Sequence, residues 1–181
     1  MHYLKYISLV TTLSFYVLVG QNSKDEIWSK ENFSGLKFRS IGPAFMSGRI
    51  SDIAFHPDNE SIWYVTVGSG NVWKTVNSGV TWTPIFDDQN SYSIGCVTID
   101  PNNPNTVWVG TGENLGGRHF GYGDGLYKSN DGGQSWVNMG LKKSEHISEV
   151  LIHPENSDVI WVASQGPMWS SGGQRGVYKS N

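Results

Sequence analysis

The residues best equipped for chemistry cluster in one Gly-rich stretch, Gly110–Gly125, which holds Glu113, Asn114, Arg118, His119 and Asp124. A pair of facing carboxyl groups can share general acid and base work. Glu113 or Asp124 could supply one of them. His119 could serve as a base or a metal ligand, being the side chain that titrates nearest neutrality. A second stretch, Ser164–Gly176, offers Trp169, whose face could stack on a sugar ring or a peptide, and Arg175. Arg49 stands alone ahead of a short apolar run. These make Arg49, Glu113, Asn114, Arg118, His119, Trp169 and Arg175 the ligand-binding candidates. Each has a plainer reading as well: a salt bridge or cap for Arg49, a self-ordered surface loop for the Glu113–Asp124 group, local packing for Trp169. The single cysteine, Cys96, sits in an apolar run with no visible base, which reads as a small core residue. It excludes an internal disulfide and a thiolate zinc site. No metal site and no cofactor are indicated.

These stretches hang on a repeat. Ile50–Pro57 recurs as Ile94–Pro101 and again as Ile147–Pro154, the prolines lying 44 and then 53 residues apart. Each copy is an apolar run stopped by a turn, the pattern of a buried strand. A second strand follows each copy, at Ile62–Val65, Val107–Val109 and Ile160–Ala163. A third lies at Val72–Thr75, Leu126–Ser129 and Val177–Ser180. A fourth is expected at Thr81–Thr83 and Ser135–Val137. Four short strands per copy at this period predict an all-β fold, a β-propeller of four-stranded antiparallel blades. About three blades are present, over roughly 48–87, 92–141 and 146–181, the last one incomplete. Composition agrees: 22 Gly, 8 Trp and only 16% charged residues suit a turn-rich β protein. They exclude intrinsic disorder. A net charge of −3 leaves no electrostatic footprint for nucleic acid.

Between the third and fourth strands lies a repeated motif. One copy sets Thr75, Asn77, Gly79, Thr81 and Trp82 at the spacing that the other gives to Ser129, Asp131, Gly133, Ser135 and Trp136. The Asx side chain can accept backbone N–H groups of a tight turn, Gly can take positive φ, and Trp can bury a large face. The turn is structural in this reading. The motif resembles the Asp box, or BNR repeat, of a propeller superfamily that includes sialidases, family 74 xyloglucanases and sortilin-type receptors. The segments Phe38–Pro43, Ser47–Ile50, Val72–Thr75, Ser93–Gly95, Trp108–Asn114 and Arg175–Lys179 are similar to exported bacterial proteins labelled glycosyl hydrolase, BNR repeat, or sortilin-like.

That resemblance covers residues 36–181 and implies further blades of a longer protein as partners of these. It implies either a propeller that binds a protein, peptide or glycan through loops on one face, or a glycoside hydrolase whose carboxylate pair later blades complete. Family 74 enzymes carry a catalytic Asp just after the second strand of an early blade. The matching stretch here, Val67–Asn71, has no carboxylate. A third reading is a purely structural repeat with no ligand.

In a four-stranded meander, the loops between strands two and three share a face with the links between blades. The long stretches around Glu113 and Trp169 therefore fall on one face and the box turns on the other. Upstream, Lys5 precedes an apolar run, Ile7–Val19, too short to span a bilayer at about 20 residues. With Gly20 as a cleavage point, 1–20 reads as a signal peptide and 21–37 as a leader. The expected location is secreted, cell-surface or periplasmic, in a bacterium, with no stable transmembrane anchor.

Overall fold

The computed structural model describes Gly35, residues 48–114 and residues 120–180. The signal peptide, the leader apart from Gly35, Arg118 and His119 lie outside the described residues. The blades belong to one compact unit, Ser47–Asn181. Its described elements are eleven strands: β1 (Ile50–Phe55), β2 (Trp63–Val67), β3 (Asn71–Thr75), β4 (Thr83–Pro84), β5 (Ile94–Ile99), β6 (Val107–Thr111), β7 (Leu126–Ser129), β8 (Val137–Gly140), β9 (Ile147–His153), β10 (Asn156–Ser164) and β11 (Gly176–Lys179). They form three antiparallel meanders, β1–β2–β3–β4, β5–β6–β7–β8 and β9–β10–β11. Among the described residues no helix is long and apolar enough to cross a membrane.

Register repeats with the sequence. Ile53 pairs with Val65 and Val65 with Trp73; Val97 pairs with Val109 and Val109 with Tyr127; Val150 pairs with Val162 and Val162 with Tyr178. Side chains alternate across a strand, so each sheet buries one set of residues forward and the other backward. Tyr64, Val72 and Phe86 of the first sheet meet Val97, Val107, Val109 and Tyr127 of the second. Cys96, Trp108 and Leu126 then leave the second sheet's other face to meet Ile147, Val150, Ile160 and Val162 of the third. Cys96 is a buried free thiol, and burial pushes its ionisation up, which fits a core residue.

The fourth strands begin later than the sequence suggests, at Thr83 and Val137. The motif turns consume the residues before them. The Thr75 hydroxyl accepts from Gly79 N at 2.9 Å, and Asn77 Oδ1 accepts from Thr81 N at 2.9 Å. In the second copy Ser129 Oγ accepts from Gly133 N at 2.8 Å, while Asp131 Oδ1 accepts from Gln134 N and Ser135 N, both at 2.9 Å. Ser135 Oγ adds a bond to the same carboxylate at 2.5 Å. Led by the Ser135 hydroxyl, these donors hold the Asp131 carboxyl well below the usual range. Gly79 and Gly133 take φ of +88° and +90°, which a side chain resists. Amides engaged this way cannot join the ladder, so the strand starts after the Trp.

The turns also tie neighbouring sheets. Trp136 Nε1 donates to Ile85 O at 2.7 Å, and Lys74 Nζ donates to Gly132 O at 2.8 Å while lying over the Tyr64 ring. Tyr64 Oη donates to the same carbonyl at 3.1 Å, and burial pushes its pKa up to about 12, so it stays a donor.

Candidate functional site

The loop face is built from the residue that precedes each innermost strand. These are Arg49 before β1, Ser93 before β5 and His146 before β9. Backbone bonds knit the three to the loops between second and third strands. Gly68 N donates to Arg49 O at 2.8 Å, Gly112 N to Ser93 O at 2.7 Å, and Gln165 N to His146 O at 2.8 Å. Ser93 Oγ donates to Gly68 O at 2.6 Å. Interblade links and second-to-third-strand loops therefore share one face, as the meander geometry requires.

Glu113 is the hinge pin of this face. Its side chain is 1% exposed, while its partner Arg49 is 54% exposed. Arg49 Nε donates to Glu113 Oε1 at 2.6 Å, and the guanidinium Nη2 touches the same oxygen. The Glu113 amide is fixed by Gly121 O at 3.0 Å. Gly68 makes room for the carboxyl: a Cβ there would lie 3.0 Å from Glu113 Cδ. A carboxylate of the second blade thus packs over the short loop of the first, held by an arginine 64 residues away.

Asp124 is pinned differently. Its Oδ2 accepts from Tyr127 Oη at 2.7 Å, and its amide donates to Thr111 Oγ1 at 3.0 Å. Asn114 Nδ2 donates to Ser148 O at 3.3 Å. Arg175 Nη2 donates to Pro167 O within its own loop. Trp169 stands 72% exposed and lies 6.0 Å from the Phe120 ring. Glu113, Asn114 and Asp124 each make short-range bonds to the frame, whereas Trp169 offers most of its surface to solvent.

His146 carries no flag in the sequence, yet it is wholly buried. It sits between Phe120 at 5.8 Å and Tyr122 at 5.6 Å, and neither ring nitrogen has a hydrogen-bond partner of good geometry among the described residues. Burial lowers its pKa, opposed by the Glu113 carbonyl and by the charges of Glu145 and Glu113. The signal that could have found it was positional: His146 occupies the place of Arg49 and Ser93.

A neutral native imidazole whose unfolded counterpart titrates near 6.5 makes the unfolded state the better proton binder below that pH. The stability it contributes is present above about pH 6.5 and is lost as pH falls toward the lowered native value. The wild type is expected to lose more stability between about pH 7.5 and pH 5 than a His146→Phe variant, in urea melts at each pH. Equal losses would show that His146 does not carry the slope.

Among the described residues no group of three or more His, Cys, Asp or Glu could hold a metal ion. No protein-family model matches the chain, and no curated protein matches it. Solved structures do. An ancestral GH74 enzyme aligns over 73% of this chain and 17% of its own, at 21% identity and a TM-score of 0.56. A GH74 enzyme from Niastella koreensis aligns over 70% of this chain and 19% of its own, at 26% identity and a TM-score of 0.54. YCF48 from Cyanidioschyzon merolae aligns over 76% of this chain and 35% of its own, at 17% identity and a TM-score of 0.50. The chain spans less than a fifth of the length of these GH74 enzymes. Three antiparallel sheets stacked face on face, with no helix among the described residues and with these likenesses, make the fold of this chain a set of β-propeller blades.

Proposed function

We propose that these blades belong to an exported Asp-box propeller that binds a protein, peptide or glycan through the loop face. One observation carries this reading. Trp169 projects into solvent from a frame in which Glu113, Asn114 and Asp124 already make bonds to their surroundings. An exposed aromatic on a rigid support is the usual anchor of a recognition surface. The Asp-box assignment is supported by the bonding of the two motif turns, which have the same donors and acceptors at equivalent positions. Export, from a cleaved signal peptide at 1–20, is supported by the basic start and short apolar run alone.

The reading predicts a set of ligands on peptide and glycan arrays that wild type retains and a Trp169→Ala variant of unchanged melting temperature loses. Arrays on which the two proteins give the same signals would overturn it.

A second reading is favoured by the likeness to the Niastella koreensis GH74 enzyme. There the propeller is a glycoside hydrolase, Glu113 or Asp124 gives one carboxyl, and other blades give the second. Release of sugar from xyloglucan, β-glucans or sialosides, abolished by Glu113→Gln or Asp124→Asn, would establish it. Silence across that panel would count heavily against the hydrolase.

A further inference from the structure

The links that enter the three sheets make the same backbone bond but differ at one residue. The carbonyls of Arg49, Ser93 and His146 accept from Gly68 N, Gly112 N and Gln165 N. Arg49 and Ser93 keep one charge state near neutral pH, whereas an imidazole can change its charge there.

The His146 ring is enclosed at the seam between the second and third sheets. Backbone blocks it on the side of the second sheet. Gly123 N donates to Glu145 O at 2.7 Å, and a Cβ on Gly112 would run into that same oxygen. A Cβ on Gly95 would run into Ile147 O. Glu145 holds φ at +57°, which residues with a side chain seldom adopt. The link therefore has no slack, and the way out for the ring is past Phe120 and Tyr122. Tyr122 is 60% exposed, so that roof is thin. Phe120 also lies against Trp169.

A neutral imidazole suits this enclosure and an imidazolium does not. The charged ring carries two N–H donors, and neither nitrogen has a partner of good geometry among the described residues. Charged groups on the packed elements are Lys142, Lys143 and Glu145 on its own link and Glu149 on β9. The roofing loop adds Glu113 and Asp124, and the loop after β10 adds Arg175; Arg118 and His119 lie outside the described residues. Glu145 and Glu113 draw a proton to the ring, but burial outweighs them. Glu113 is already answered by Arg49, and Asp124 by the Tyr127 hydroxyl.

We propose that His146 is a proton-operated latch. When its ring takes a proton it swings out past Phe120 and Tyr122, and the second seam opens at the loop face while the first stays shut. The sign follows from linkage. The ring titrates near 6.5 when open and lower when closed, so the latch is shut above about pH 6.5 and opens as pH falls. Opening takes the Phe120 contact from Trp169, so acid would weaken a ligand held there. That consequence rests on the proposed binding at the loop face. The latch itself does not, and it is read without ligand.

Amide hydrogen exchange on this chain at about pH 8 and pH 5, corrected for intrinsic rates, tests it. Gly123 and Gln165 report the second seam, because their amides bond to Glu145 O and His146 O. Gly112, bonded to Ser93 O, reports the first. The opening constants of Gly123 and Gln165 should rise by up to about 30-fold at pH 5, the excess of protonated over neutral imidazole for an ordinary pKa near 6.5. That of Gly112 should stay level. In His146→Phe the rise should vanish, and His146→Gln, uncharged at both pH values, gives the same readout if the Phe variant does not fold. No rise in wild type, an equal rise at Gly112, or a rise that survives the loss of the imidazole would overturn the proposal.

Discussion

Phe86→Ala is expected to lower stability by about 3–5 kcal/mol, the range for emptying a buried aromatic site. Phe86 follows β4 and is 1% exposed. Its ring meets Tyr127 at 5.0 Å and Trp136 at 5.1 Å, both edge to face. Those partners belong to the second sheet, so the ring is a wedge between blades. Its loss leaves a cavity that two aromatic side chains cannot fill without leaving their own contacts. Tyr127 is bonded to Asp124 and Trp136 to Ile85 O, which holds both in place. A domain is typically stable by about 5–15 kcal/mol, so this one change consumes much of the margin. Phe86→Leu should recover part of it by keeping volume. Urea unfolding of the three proteins measures the series. A loss below about 1 kcal/mol for the Ala variant would show that the sheets do not meet through this ring.

Arg49→Ala is expected to cost about 2–3 kcal/mol, because it strands a buried carboxylate. The cost is asymmetric. Arg49 is half exposed and loses little itself, but Glu113 is enclosed and keeps, among the described residues, the weak, 3.5 Å bond from the Gly121 amide. Glu113→Gln alone should cost less, since the amide can still accept at Oε1. The double variant Arg49→Ala, Glu113→Gln should be more stable than Arg49→Ala alone. That positive coupling in a double-mutant cycle is the sign that the arginine answers the buried charge. Additive costs would mean that the pair contributes no coupling.

Much of the architecture was legible in the sequence because the repeat is written in side chains that a buried sheet requires. Ile53, Val97 and Val150 share one place, and the ladders put them in one register. The late start of the fourth strands was not legible. Period-two patterning does not show that the amides of Gly79, Thr81, Gly133 and Ser135 are already spoken for. The candidate site was legible in part. Arg49 and Glu113 were each singled out, but their pairing was not, since 64 residues separate them and only the stacking of sheets brings them together. Phe86 and His146 belong to no motif of the sequence. Each is a single residue outside the repeated strands, made important by what a neighbouring blade places against it.

The central claim is that ligand is held at the loop face and that the motif turns only brace the blades. Hydrogen–deuterium exchange with and without an array-identified ligand tests it most directly. Protection should appear in 120–125 and 165–175, around Phe120, Tyr122 and Trp169. Exchange at the motif turns, 77–82 and 131–136, should not change. Protection centred on those turns, with the loop face unaffected, would contradict the account.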